Sequence, residues 1–281
     1  QLEKRLATGI LKPTKIHRIL ASIEEQNNWM VASDKETLSS FLSSEIVTND
    51  NAAINASFGL GEVQDGLLLK PAYVIDTFRS FLKKRELLIS EVFEHDALQL
   101  SSYGIVYKNI SAKHIIFAEG AKVPNNPFFK LSVSPNSDRV FVGNKGEYVL
   151  FRAPSLQLNE VLKGPVMIIP LGNDIYKVGA SYGRDDFSEG TTQIVREEIV
   201  AKLKKMISCD FEVVGQVAGI RPTVKDRKPL LGSFNKKESI YFMNGLGTRG
   251  LSMAPLLTKW LLDFIEDAKP LPNEVDLNRF L

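Results

Sequence analysis

Cysteine is almost absent from this chain: Cys209 is the single one in 281 residues. That excludes an intrachain disulfide framework. Histidine is also scarce, with His17, His95 and His114 scattered along the sequence. One cysteine and dispersed histidines offer no metal-ligand spacing of the kind a zinc site needs. No apolar run approaches the roughly 18 residues of a membrane span, and no secretory signal pattern is visible. Charge of one sign is lacking too. The formal net charge is +2, without the clustered basic face that marks nucleic-acid binders. There is no internal repeat and no low-complexity tract. What is there is 44% hydrophobic and 24% charged, the composition of a globular protein long enough to bury a sizeable core. A cytoplasmic location, with no membrane partner and no nucleic acid, is the expectation.

The patterning predicts an α/β (α+β) chain. Ile16–Leu20 reads as a strand, and Ser22-Ile23-Glu24-Glu25 as a capping box opening a helix through Trp29. Pro71 suits a first helical turn, and Val74, Phe78, Phe81 and Leu82 then share one helix face. Residues 87–93 read as a strand, and 97–109 as a hairpin turning near Ser102-Tyr103-Gly104. Ile115-Ile116-Phe117-Ala118 reads as a short buried strand. Segment 120–137 is a proline- and asparagine-bearing crossover. Further strands are expected at 139–142, 147–152, 165–170 and 174–181, with a hairpin at Gly172-Asn173. Between the first two, Lys145-Gly146-Glu147 reads as a solvated turn. A helix over Gln193–Ser208, strands at 211–218 and 239–243, and a closing helix over Ser252–Asp267 complete the series. That last helix is apolar almost all round and is expected to be buried.

The segment before it carries chemistry. Asn244-Gly245-Leu246-Gly247-Thr248-Arg249-Gly250 follows a strand and opens a helix, and it contains a formal G-x-G-x-x-G. A dinucleotide fingerprint also needs a second strand about 20 residues on, ending in an acid. Here the helix runs into Lys269-Pro270-Leu271-Pro272, so that reading is rejected. Another reading remains. Glycines let backbone approach a planar ring, and free amides at a helix start suit an oxygen that turns negative, such as the N1–C2=O edge of a reduced flavin. On composition alone a plain glycine turn before a packed helix stands equally open.

The wording of four blocks resembles the D-amino-acid oxidase family, which includes glycine, sarcosine and D-amino-acid oxidases. Gly245–Pro255 resembles its closing flavin segment. Its G-L-G-T-R-G-L-S-M-A-P form is most similar to the oxidase domain of the enzyme that completes methylaminomethyl-uridine at the tRNA wobble position. Ala218-Gly219-Ile220-Arg221-Pro222, Asp226 and Lys228-Pro229-Leu230-Leu231-Gly232 are similar to the A-G-x-R-P…D-x-x-P-x-x-G signature. Pro165–Tyr182 looks like the family hairpin, and Ile115–Gly120 like the strand closing on the flavin. Arg279-Phe280 matches a frequent ending. The blocks come in family order over 70–281.

The resemblance implies an FAD-dependent oxidoreductase acting on a small amine or amino acid. It implies an FAD/NAD(P)-binding-like mixed sheet with an antiparallel-sheet substrate domain. The expected parts are 1–69 (first part of the substrate domain), 70–125 (part of the FAD-binding domain), 126–217 (substrate domain) and 218–281 (closing segment of the FAD-binding domain). Arg221 is implied as the holder of the substrate carboxylate, where a guanidinium offers two parallel donors; a structural Arg at a strand end is the alternative. Tyr182 and Met167 would line the substrate side, ordinary packing being the alternative for Met167. Gly120, Gly245, Gly247, Arg249, Gly250, Leu251 and Ser252 would contact FAD, and Arg249 could instead form a surface ion pair. Without a cysteine near Arg221, the FAD would be non-covalent. Glu119 stands where the family has a small residue.

The family's first strand and glycine turn do not occur in residues 1–60, and the chain opens at Gln1 in a charged, helix-like run. The expectation is a family member without its N-terminal dinucleotide-binding segment, with FAD binding by the isolated chain left open and activity belonging to the parent protein. Apolar surface on 70–120 and 239–267 would then be exposed, a site for self-association. A tRNA wobble-uridine-modifying oxidase and a non-enzymatic binding domain are the alternative functions.

Overall fold

The computed structural model describes residues 3, 9–129, 140–234 and 239–281. The chain divides into two compact units: Gln1–Glu91, Glu147–Ser181 and Thr191–Val217 form one, and Val92–Gly146, Tyr182–Gly190 and Ala218–Leu281 the other. The helix-like run at Leu2–Leu6 (apart from Glu3), the later part of the 120–137 crossover, and residue 139 of an expected strand lie outside the described residues.

The first unit is built on a mixed sheet. Tyr148–Arg152 pairs antiparallel with Ile175–Gly179, which pairs with Met167–Gly172 in the expected hairpin. The hairpin turns through Asn173 and Asp174, both left-handed with φ of 52° and 56°. Met167–Gly172 pairs with Val161–Lys163, which meets Ile16–Ile19 in a parallel pairing. Leu60–Val63 and Leu42–Val47 complete the sheet. Alternation along these strands sends Phe151, Leu162, Ile168 and Val178 into a core closed by Ile199 and Leu203 of the helix Gln193–Leu203. The capping box forms: Ser22 Oγ accepts from Glu25 N, and Glu25 reaches back to Ala21 N. The helix extends through Ser33 and inserts Trp29 against Gly61, where a Cβ would stand 2.5 Å from the indole.

The second unit holds a three-stranded sheet in which Ile240–Asn244 lies between Leu230–Gly232 (antiparallel) and Ile115–Phe117 (parallel). Phenylalanines fill its core: Phe117, Phe129, Phe141 and Phe242 pack as stacked and edge-to-face rings. Leu98–Ser101, Gly104–Tyr107 and Ile110–Ala112 form a separate meander, turning at Ser102-Tyr103 as expected. The helix Gly250–Asp267 packs Leu257 and Leu261 beside Leu231 and Tyr241.

Several elements differ from the sequence reading, which also lacks the strands Leu42–Val47 and Leu60–Val63. Residues 87–93 form no strand: Leu87, Ile89 and Val92 are exposed, Val92 at 84%, while Phe93 turns inward, stacking on Tyr107. Strands 139–142 and 147–152 are one strand, Phe141–Arg152, so Lys145-Gly146-Glu147 is a buried strand centre and not a solvated turn. Strand 211–218 continues as Glu212–Val224 through Pro222. The closing helix buries only one stripe, leaving Leu251 and Leu256 more than half exposed. In this unit Ile116 is also exposed, and in the first unit Ile75 and Phe78 are. Among the described residues no helix is long and apolar enough to cross a membrane, and no group of His, Cys, Asp or Glu could hold a metal.

Candidate active site

The site lies within the second unit, at the end of the strand Glu212–Val224. Successive side chains of a strand face opposite ways, so Arg221 and Thr223 share one face while Val224 points into the core. The neighbouring strand offers Asn144 and Gly146 on one face, with Lys145 turned away to donate to Ser188 Oγ at 3.0 Å. Arg221 lies directly over Gly146. A Cβ there would stand 2.2–2.4 Å from NH2, NH1 and Cζ of the guanidinium, so glycine is the residue that leaves room for this arginine. NH1 donates to Asn144 Oδ1 at 2.9 Å and reaches Asn144 O at 3.4 Å. The neighbouring strand Gly183–Arg184 pairs with Lys145 and Asn144, and Tyr182 directly precedes it. The Arg221 Cζ lies 4.8 Å from the Tyr182 ring centroid, a cation–π distance. Arg221 and Tyr182 are therefore together, in a three-sided seat of peptide, amide and ring. Met167 belongs to the hairpin of the first unit.

The glycine turn is anchored to the same strand. Val224 Cγ2 occupies the place a Gly245 Cβ would take, at 2.5 Å, and Thr223 Oγ1 lies 3.9 Å from the Cβ position of Gly247. Both glycines are left-handed, with φ of 72° and 56°, a conformation that side chains resist. The fully buried Asn244 joins two loops: its Oδ1 accepts from Gly245 N at 2.7 Å, and its Nδ2 donates to Gly120 O at 3.0 Å. Gly120 (φ 59°) therefore stands beside the turn, with open space where a Cβ would be. Gly247–Arg249 make one 3-10 turn, and the helix starts at Gly250 with no side-chain hydrogen bond to its first amides. Leu251 and Ser252 follow in its first turn, Ser252 Oγ donating to Arg249 O at 2.9 Å. Arg249 lines a cavity of about 370 Å³ with Arg227, Lys228, Met253 and Trp260. The helix leads through Ala268 to the 3-10 turn Leu277–Phe280, and Asp276 before that turn makes an isolated parallel bridge to Leu231. Two unobstructed left-handed glycines beside uncapped helix amides fit the edge of a flat, electron-accepting ring such as a flavin.

Two neighbouring features acquire roles. Glu119 accepts from Asn126 Nδ2 at 2.7 Å and contacts His95 Nε2 at 3.0 Å, so its carboxylate is engaged with these two side chains. Asp226 binds Arg279 through Nε at 2.8 Å and NH2 at 3.2 Å, clamping the C-terminal turn. Burial pushes the Asp226 carboxyl up, but the Arg279 and Lys228 hydrogen bonds outweigh it and hold the group below the usual aspartate value. Reasoning from sequence missed Asn144, Gly146 and Asn244. Gly146 within K-G-E and Asn244 directly before the turn were the available signals.

The model of the family described as "FAD dependent oxidoreductase" matches residues 74–264. Glycine oxidase from Bacillus subtilis is 26% identical over 242 residues, covering 83% of this chain and 63% of that protein. The chain thus spans a little under two thirds of that relative's length. Among solved structures, glycine oxidase from Bacillus cereus superposes with a TM-score of 0.75 at 16% identity, covering 96% of this chain and 78% of the other. L-proline dehydrogenase from P. horikoshii gives 0.70 at 15% identity, covering 99% and 79%. These two structures share the fold. The family match spans more than half of the chain and contains both the arginine seat and the glycine turn, so the chain belongs to the FAD-dependent oxidoreductase family.

Proposed function

We propose that the protein oxidises a small amino acid or amine at its C–N bond with non-covalently bound FAD. The observation that carries this is the seat of Arg221 on the strand that anchors the glycine turn. Arg221 binds the substrate carboxylate, for which its planar guanidinium is matched. Tyr182 and the Gly146 peptide hold the guanidinium plane, and Asn144 holds its NH1 edge. Gly120 and Gly247 admit the ring, Gly245 seats the turn against Val224, and the amides from Gly250 to Ser252 face the ring's electron-rich edge. The flavin, when bound, supplies the acceptor for a hydride from the substrate's α-carbon. The chain's residues contribute orientation and a fixed field, and no acid–base side chain is required of them. The single cysteine, Cys209, packs against the first unit's core, its thiol pushed up by burial, which supports non-covalent binding.

The reading is tested with the full-length protein and added FAD. Amino-acid-dependent peroxide formation is expected, and Arg221→Ala should raise KM by about 10–100-fold through loss of a charged hydrogen-bond pair. A protein that takes up no FAD, or an Arg221→Ala enzyme with unchanged KM, contradicts it.

A further inference from the structure

We propose that Asn144 is the positioning residue that sets the orientation of Arg221 toward the substrate carboxylate. The inference rests on the reading of Arg221 given above. An arginine on an open strand face has many rotamers, and its five donors can point in several directions. Here Gly146 removes bulk beneath the guanidinium, and Asn144, two residues away on the same face, supplies an acceptor. The distance of 2.9 Å from NH1 to Oδ1 is that of a well-formed hydrogen bond. Because arginine carries no acceptor, the Asn144 amide must turn its oxygen to NH1 and its NH2 away. Its backbone is fixed by pairing with Arg184, and the carbonyl of the same residue adds a second, longer contact at 3.4 Å. Gly143, one residue earlier, is pinned against the Phe187 ring, 2.8 Å from where its Cβ would be. The acceptor therefore stands on a rigid strand, which suits a residue that sets an angle. It is also neutral, so it directs the guanidinium without pairing its charge; an aspartate at the same place would compete with a bound carboxylate.

The test uses the full-length protein with FAD and two readouts. The first is the dissociation constant for acetate, a carboxylate with no amine to oxidise, measured by calorimetry. The second is KM against kcat for the amino acid that the wild type oxidises. Asn144→Ala should weaken acetate binding and raise KM about tenfold, with kcat changing less than about threefold, as expected when a binding contact is misdirected. Asn144→Asp keeps the shape and the acceptor but adds a charge, so it should fold as the wild type does and weaken acetate binding at least as much. Wild-type acetate affinity in both variants, with binding lost in Arg221→Ala, overturns the role of Asn144 alone. Wild-type affinity in Arg221→Ala removes the carboxylate reading beneath it.

Discussion

Gly146→Ala should damage the site while leaving the fold almost untouched. The added methyl would lie 2.2–2.4 Å from three guanidinium atoms, where ordinary contact begins near 3.4 Å. The strand centre cannot yield, because Lys145 and Glu147 on either side are both buried. The guanidinium must therefore retreat by roughly 1 Å, and misplacement on that scale costs up to about 10²-fold in rate. Retreat also breaks the NH1–Asn144 bond and lifts the group off its place beneath Tyr182. The displaced atoms are the end of a flexible side chain, so stability should fall by no more than about 1 kcal/mol. Gly219→Ala is the control. It lies on the same strand two residues from Arg221, and nothing stands within 4 Å of its Cβ position. Steady-state kinetics with a urea melt should show kcat/KM reduced about 10–100-fold for Gly146→Ala and unchanged for Gly219→Ala, with nearly equal midpoints. Equal activity of the two variants would refute the reasoning, as would a collapse of Gly146→Ala stability.

Other outcomes follow from the same contacts. Asn244→Ala leaves Gly245 N and Gly120 O without their buried partner; a loss of about 1–3 kcal/mol in denaturant unfolding and weaker FAD uptake are expected. Glu147→Gln replaces a buried carboxylate that accepts from Thr192 N, Thr192 Oγ1 and Gln216 Nε2. The new amide NH2 would face donors, so a loss of roughly 2 kcal/mol is expected, read by the same unfolding. Tyr182→Phe should preserve KM, whereas Tyr182→Ala should raise it a few-fold, in line with a cation–π contact of about 0.5–1 kcal/mol. The Asp226–Arg279 clamp gives a pH signature. The folded Asp226 pKa is depressed, so its stabilisation is present above the unfolded value near 4 and is lost as pH falls through the folded value. The melting-temperature difference between wild type and Arg279→Ala should therefore be flat near neutral pH and shrink in acid below about pH 4, leaving the part due to the Asp276 and Lys228 carbonyls; a difference that does not shrink in acid contradicts this.

The sequence disclosed what is local. The glycine turn, its strand and its helix are contiguous, and left-handed Gly245 and Gly247 are required by Val224 and the turn itself. The capping box at Ser22 and the hairpin at Gly172-Asn173 were readable for the same reason. Features that need a cross-strand neighbour were hidden. Gly146 read as part of a turn and split one strand into two, although Gly143 and Gly146 each make room for a group distant in sequence, the Phe187 ring and the Arg221 guanidinium. Residues 87–93 carry strand-like apolar spacing, but no strand pairs with them. The short strands Leu42–Val47 and Leu60–Val63 were missed because their pattern is weak and only sheet pairing defines them. Asn144 had no signal at all, since its role exists only once Arg221 lies beside it.

The most direct measurement is anaerobic mixing of an amino acid with the FAD-loaded full-length protein, followed by the visible absorbance of oxidised flavin. Bleaching is expected with the wild type, and at amino-acid concentrations at least about tenfold higher with Arg221→Ala. Bleaching at the same concentration without the arginine, or no bleaching by any small amino acid or amine, contradicts the account.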